Sequence, residues 1–169
     1  MILENAATID AEITRPSGIA FRRARVEDAS TIARHRESMF RDMGYHDEAH
    51  LHSMRHRFMR WIESKLKSGD YMGWLGVAED NQAVAGAGLW LMDWPPHMVS
   101  SGSKRGNILN VYTEPAFRRQ GLARWLVDAA LHTCRANNVE FVTLHTGKEG
   151  RRMYEQLGFE AGNEMQISV

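Results

Sequence analysis

The stretch NILNVYTEPAFRRQGLA, residues 107–123, constrains the fold of this chain more than any other. Asn107 to Tyr112 reads as a strand. It runs through Thr113, Glu114 and Pro115 into a short basic loop, Arg118-Arg119-Gln120-Gly121. Leu122, Ala123, Leu126, Val127, Ala130 and Cys134 then recur at helical spacing, the clearest such period in the chain. A strand that feeds a helix through a tight basic turn gathers several free backbone N–H groups at one point, with the positive end of the helix dipole behind them. Such a junction suits phosphate. Gly121 keeps a Cβ away from the anion, Ala123 is small, and Arg118, Arg119 and Arg124 add charge. The apolar run Val139 to Leu144 predicts a second, buried strand. The strand–helix–strand unit from 107 to 144 is then expected to be parallel and right-handed.

The rest of the chain supplies layers around this unit. Ile19 to Arg23 alternates apolar and polar residues like a half-buried strand. Ala29, Ile32, Ala33, Phe40 and Met43 define one helix, with Glu27 and Asp28 at its start and Gly44 at its stop. A second helix is expected from about Asp47 to Lys67, with Leu51, Met54, Phe58, Trp61, Ile62 and Leu66 on one face. Tyr71–Ala78 and Ala83–Leu91 read as a hairpin around Glu79-Asp80-Asn81-Gln82. Pro95, Pro96 and Gly102 mark a loop over 93–104. Gly150 to Leu157 is expected to be a short helix, and Met165 to Val169 a last strand. The layout is α/β with a mixed sheet: an arm over residues 1–17 and one domain over 18–169.

Composition narrows the function classes. Lys plus Arg (21) equals Asp plus Glu (21), so no global field draws the chain to nucleic acid or to an anionic membrane. One cysteine, Cys134, excludes an internal disulfide and a cysteine-based zinc site, and points to a reducing, cytoplasmic setting. The first residues carry Glu4, Asp10 and Glu12 and do not resemble a signal peptide, and no apolar run is long enough to span a bilayer. His46, His50, His52 and His56 cluster without an HExxH pattern and read as solvated or cleft residues, so no metal is expected. Gly86-Ala87-Gly88 lies within a strand and marks a bulge or close packing rather than a dinucleotide fingerprint.

A second segment sharpens the reading. After the strand 141–145 and a loop comes MYEQLGF, residues 153–159. RRQGLA at 118–123 followed at this interval by YEQLGF at 154–159 resembles the GNAT superfamily of acetyl-CoA-dependent N-acetyltransferases. The order of elements also matches, so the resemblance covers about residues 18–169. It implies a GNAT-like, mixed, mostly antiparallel central sheet with helices on both faces and a splayed parallel strand pair holding acetyl-CoA. The loop His145–Arg152 departs from the pattern, because it lacks the Asn that many members place against the cofactor arm.

The resemblance also implies roles. Val111, Tyr112 and Thr113 pair with the pantetheine arm like an added strand. A backbone N–H near Tyr112 meets the thioester carbonyl. Arg118, Arg119, Gln120, Gly121, Leu122, Ala123 and Arg124 hold the pyrophosphate. Tyr154 protonates the leaving thiolate. The acceptor is a small-molecule or peptide amine. It must lose a proton first, since only about one primary amine in a thousand is neutral at pH 7, a cost of about 4 kcal/mol. Glu114, Asp93 and His145 are candidate bases, with Glu114 first by position. Cys134 falls on the buried face of its helix, which favours direct transfer over a covalent acyl-enzyme. A homodimer through a sheet edge is compatible with this layout.

Overall fold

The computed structural model describes residues 18–168. The arm expected over 1–17 lies outside them. Five strands form one sheet in the order β1-β2-β3-β4-β5. These are β1 (Ile19–Arg23), β2 (Tyr71–Ala78), β3 (Ala83–Asp93), β4 (Lys104–Thr113) and β5 (Val142–Leu144). β1 to β4 pair antiparallel, and β4 pairs with β5 in parallel. Two helices, α1 (Ala29–Asp42) and α2 (Glu48–Ser68), precede the hairpin; α3 (Leu122–Ala136) joins β4 to β5, and α4 (Lys148–Gln156) follows.

The helical periods decide which face each helix covers. Ile32 of α1 and Ile62 of α2 pack on Tyr71 and Leu75 on one side of the sheet. Leu122, Leu126 and Ala130 of α3, with Tyr154 of α4, pack on Val84, Leu89 and Ile108 on the other. The glycines of β3 permit close layers, as expected. An added Cβ at Gly88 would lie 1.9 Å from Tyr71 Oη, and one at Gly86 would lie 3.2 Å from His35 Nδ1.

Three helices end in the same way, and the ending sets functional side chains. Gly44 (φ 93°), Asn138 (φ 54°) and Gly158 (φ 89°) adopt the left-handed conformation just past α1, α3 and α4. The N–H of the next residue then donates back into the last turn: Tyr45 to Phe40, Val139 to Cys134, and Phe159 to Tyr154. This device shortens the strand expected over 139–144. Val139 closes α3 instead of extending β5, which keeps only Val142–Leu144.

The last expected strand does not form. Residues 165–168 pair with no strand, and Met165 and Ile167 are exposed; Val169 lies outside the described residues. The alternation of Met165, Gln166, Ile167 and Ser168 suits a strand, yet a strand exists only through a neighbour's ladder.

Candidate functional site

β4 and β5 share only three paired positions, Gly106 with Val142, Asn107 with Thr143 and Ile108 with Leu144. β5 then stops, while β4 continues to Thr113. A gap opens beside the second half of β4. Within that half the β3 ladder slips: Gly86 pairs with Tyr112 and Gly88 with Leu109, so two steps of β3 face three of β4. The extra residue is a bulge at Asn110 and Val111. Asn110 has φ 55°, a conformation that Asn tolerates better than most residues. A bulge turns backbone groups out of the ladder, here beside the gap.

Asn110 is buried, and its side chain is anchored on the α1–α2 side of the sheet. Arg36 Nη1 donates to Asn110 Oδ1 at 2.6 Å, and Asn110 Nδ2 donates to Tyr71 Oη at 3.4 Å. A small cavity beside Asn110 is also lined by His35, Tyr71 and Gly86. Burial pushes the Tyr71 phenol up to about 12 and holds the His35 imidazole down at about 4, so both are neutral at pH 7.

At the end of β4 the chain turns through Pro115–Phe117 and reaches α3 with Arg119 at φ 64° and Gly121 at φ 83°. The first helical hydrogen bond runs from Trp125 N–H to Gly121 O, so the N–H groups from Gly121 to Arg124 have no partner within the helix. A Cβ at Gly121 would meet nothing within 4 Å; the glycine serves the backbone turn and leaves the helix end open. Leu122 points into the core and offers only its backbone. The arginines differ. Arg118 is tied back, donating from Nε to Thr113 O at 2.9 Å and from Nη2 to Asp42. Arg119 is exposed at the turn, as is Gln120. Arg124 reaches Gln156 Oε1 at 3.4 Å and so joins the start of α3 to the end of α4.

Tyr154 sits on the buried face of α4. The left-handed Gly158 returns Phe159 onto it, with ring centroids 5.9 Å apart and nearly perpendicular. The Leu-Gly-Phe segment is therefore a helix stop that clamps a tyrosine. Burial pushes the Tyr154 phenol up to about 12. Its hydroxyl makes no hydrogen bond among the described residues.

A strand pair that splays beside a bulge, an open helix start and a clamped tyrosine agree with what sequence comparison finds. The model of the acetyltransferase (GNAT) family matches residues 31–159. The chain belongs to that family. A GCN5-related N-acetyltransferase from Ralstonia eutropha JMP134 is 33% identical, with a TM-score of 0.83 over 90% of this chain and 99% of its own. A predicted acetyltransferase from Clostridium acetobutylicum, crystallised with acetyl-CoA, is 26% identical, with a TM-score of 0.81 over 89% of this chain and 96% of its own. Glucosamine-6-phosphate N-acetyltransferase from Arabidopsis thaliana, 17% identical with a TM-score of 0.65, shares the fold. No curated protein matches this chain.

For a GNAT acetyltransferase, two further details fit acetyl-CoA. Thr113 Oγ1, on the strand that faces the gap, is buried without a hydrogen-bond partner. The α3 start carries the open cradle at Gly121. The three candidate bases are separated by the sheet. Asp93 pairs with Lys104 at the opposite end of β4, about 30 Å from Thr113 along the strand. His145 is exposed at the end of β5, across the gap. Glu114 follows β4 directly; it accepts from Arg34 at 2.6 Å and from the Tyr112 hydroxyl at 3.1 Å. In the acyl-enzyme alternative Cys134 would need to be accessible, but it is buried and its thiol is pushed up to about 11. His52 and His56 form an exposed pair with ring nitrogens 3.0 Å apart, and no group of three metal-ligating side chains occurs among the described residues. Among the described residues no helix is long and apolar enough to cross a membrane.

Asn110, Arg36, Tyr71 and His35 were not among the expected site residues. Asn110 alone carried a signal: a polar residue at a buried position of an otherwise alternating strand.

Proposed function

We propose that this chain moves the acetyl group of acetyl-CoA directly onto a primary amine. The observation that carries the reading is the β4 bulge at Asn110 and Val111, lying in a gap that leads to the open start of α3. The backbone of Val111 to Thr113 pairs with the pantetheine arm, and Thr113 Oγ1 gains a partner. N–H groups from Gly121 to Arg124 hold the pyrophosphate, with Arg119, Gln120 and Arg124 at its rim and Arg118 bracing the turn. A backbone N–H in the stretch from the bulge to Tyr112 donates to the thioester oxygen and stabilises the negative charge that grows there.

Glu114 takes the amine's proton, with the Tyr112 hydroxyl extending its reach. The amine nitrogen then forms the new bond to the acyl carbon as the carbon–sulfur bond breaks. Tyr154, which keeps its proton at neutral pH, donates to the departing sulfur. The attacking nitrogen gives up its second proton, which restores Tyr154, and Glu114 releases its own to water; the thiolate ends protonated, and the products are an amide and free CoA. Burial of Cys134 supports the direct route.

The test is a thiol-release assay with a panel of amines. Tyr154→Phe should lower kcat about 100-fold, within the range for a positioned acid, and leave the affinity for acetyl-CoA unchanged. Its Tm should stay within a few degrees, because the hydroxyl makes no hydrogen bond among the described residues. Glu114→Gln should also lower kcat about 100-fold. Unchanged kcat in Tyr154→Phe would remove Tyr154 from the mechanism. A non-catalytic acyl-CoA-binding module would show tight binding of acetyl-CoA with no turnover of any amine.

A further inference from the structure

Around the bulge, and among the described residues, the arginines of α1 pair with carboxylates except for Arg36. Arg34 holds Glu114 at 2.6 Å, Arg41 holds Glu48 at 2.6 Å, Arg55 holds Glu37 at 3.1 Å, and Arg118 holds Asp42. Arg36 has no carboxylate. Its guanidinium lies 5.0 Å from the Phe40 ring centroid and 4.6 Å from that of Phe58, and its one hydrogen bond among the described residues goes to Asn110. Nε and Nη2 make none. Burial depresses its proton affinity, and Tyr71 offsets only part of this.

A half-buried cation without a counter-ion is costly, and two aromatic faces offset only part of that cost. The left-handed stop of α1 holds Tyr45 against Phe40, with centroids 5.5 Å apart, and so fixes one of those faces. The guanidinium is thus held rigidly by both helices and the bulge residue. It lies on the side of the sheet away from α3.

We infer that Arg36 is a specificity-determining residue that binds the carboxylate of the acceptor, and that the acceptor is an amino-acid-like amine with its carboxylate a few bonds from the reacting nitrogen. This rests on the transferase reading above. The bulge holds the thioester carbonyl, and Arg36 is hydrogen-bonded to the bulge residue. An anion on the free edge of Arg36 therefore brings the neighbouring amine to the acyl carbon. The planar donor fork favours a carboxylate's two oxygens. The chemistry is unchanged: nitrogen bonds to the acyl carbon, sulfur leaves, and the proton passes from the amine to the thiolate.

The experiment measures thiol release with the free L-amino acids and their α-amides as matched pairs, with phosphoethanolamine and ethanolamine as a phosphate arm. For at least one pair, kcat/KM for the acid should exceed that for the amide by about 10- to 100-fold, the range of a charge-assisted bond. Arg36→Gln has no charge and its shorter amide stops near the Nε position, short of Asn110; it should collapse this ratio to about one. A purely structural role would lower both members of the pair and preserve the ratio, which would overturn the inference. So would amides equal to or better than acids, or phosphoethanolamine preferred over every carboxylate. If acetyl-CoA binds and no free acid is acetylated, the inference fails and the cofactor assignment survives. If acetyl-CoA does not bind, the transferase reading itself fails.

Discussion

Replacing His35 with Gln and lowering the pH from 7.5 to 5 isolates one buried imidazole. His35 is 1% exposed and lies between α1 and the sheet. Its Nε2 is 3.1 Å from Ala83 O, which requires the proton there, and Nδ1 faces Gly86. Desolvation comes first among the causes that hold it down at about 4, and the Arg34 charge follows. The unfolded chain has an ordinary histidine near 6.5 and so binds more protons between those values. The stabilisation is complete above about pH 6.5 and is lost as the pH falls towards 4. Each tenfold change in proton affinity is worth 1.36 kcal/mol, so the whole effect is about 3 kcal/mol, and about 2 kcal/mol is gone by pH 5. Gln places a donor near the Nε2 position and does not titrate. Urea denaturation at both pH values should show the wild type losing about 2 kcal/mol more than His35→Gln, or about 4–8 °C in Tm. Equal pH dependence of the two proteins would refute the buried neutral imidazole.

Two further outcomes follow from the glycines. Gly121 and Gly69 share a left-handed φ (83° and 79°) and open space at the Cβ position. Gly121→Ala and Gly69→Ala should each cost about 1–2 kcal/mol in thermal denaturation, and only Gly121→Ala should weaken acetyl-CoA binding. Equal affinities in the two variants would detach the α3 start from the cofactor. Gly88→Ala drives a Cβ into the Tyr71 hydroxyl and should destabilise by about 3 kcal/mol in urea titration. Tyr71→Leu in the same chain should recover part of that loss, and no recovery would place the strain elsewhere.

The parts of the fold written in the sequence were those governed by local chemistry. β4, the turn at Gly121 and α3 could be read because a strand, a left-handed glycine and a helical period succeed one another without a long-range decision. The terminal alternation around Ile167 was misleading, since pairing needs a neighbour that sequence periodicity does not name. Val139 was misread for a related reason. An apolar residue after a left-handed Asn138 closes a helix as readily as it starts a strand, and here it closes α3. The site divides the same way. Gly121 and Tyr154 belong to local motifs, whereas Arg36 and Asn110 are 74 residues apart and meet only because α1 packs over the bulge. His35 and Tyr71 likewise gain their properties from burial that only the assembled layers supply.

The central claim concerns what the gap beside β4 holds. Isothermal titration of the purified protein with acetyl-CoA, with ATP and NAD as controls, tests it most directly. Micromolar binding of acetyl-CoA, with neither control binding comparably, is the predicted result. Absence of acetyl-CoA binding, or equal binding of ATP, would contradict it and reduce the basic turn at 118–121 to a helix cap.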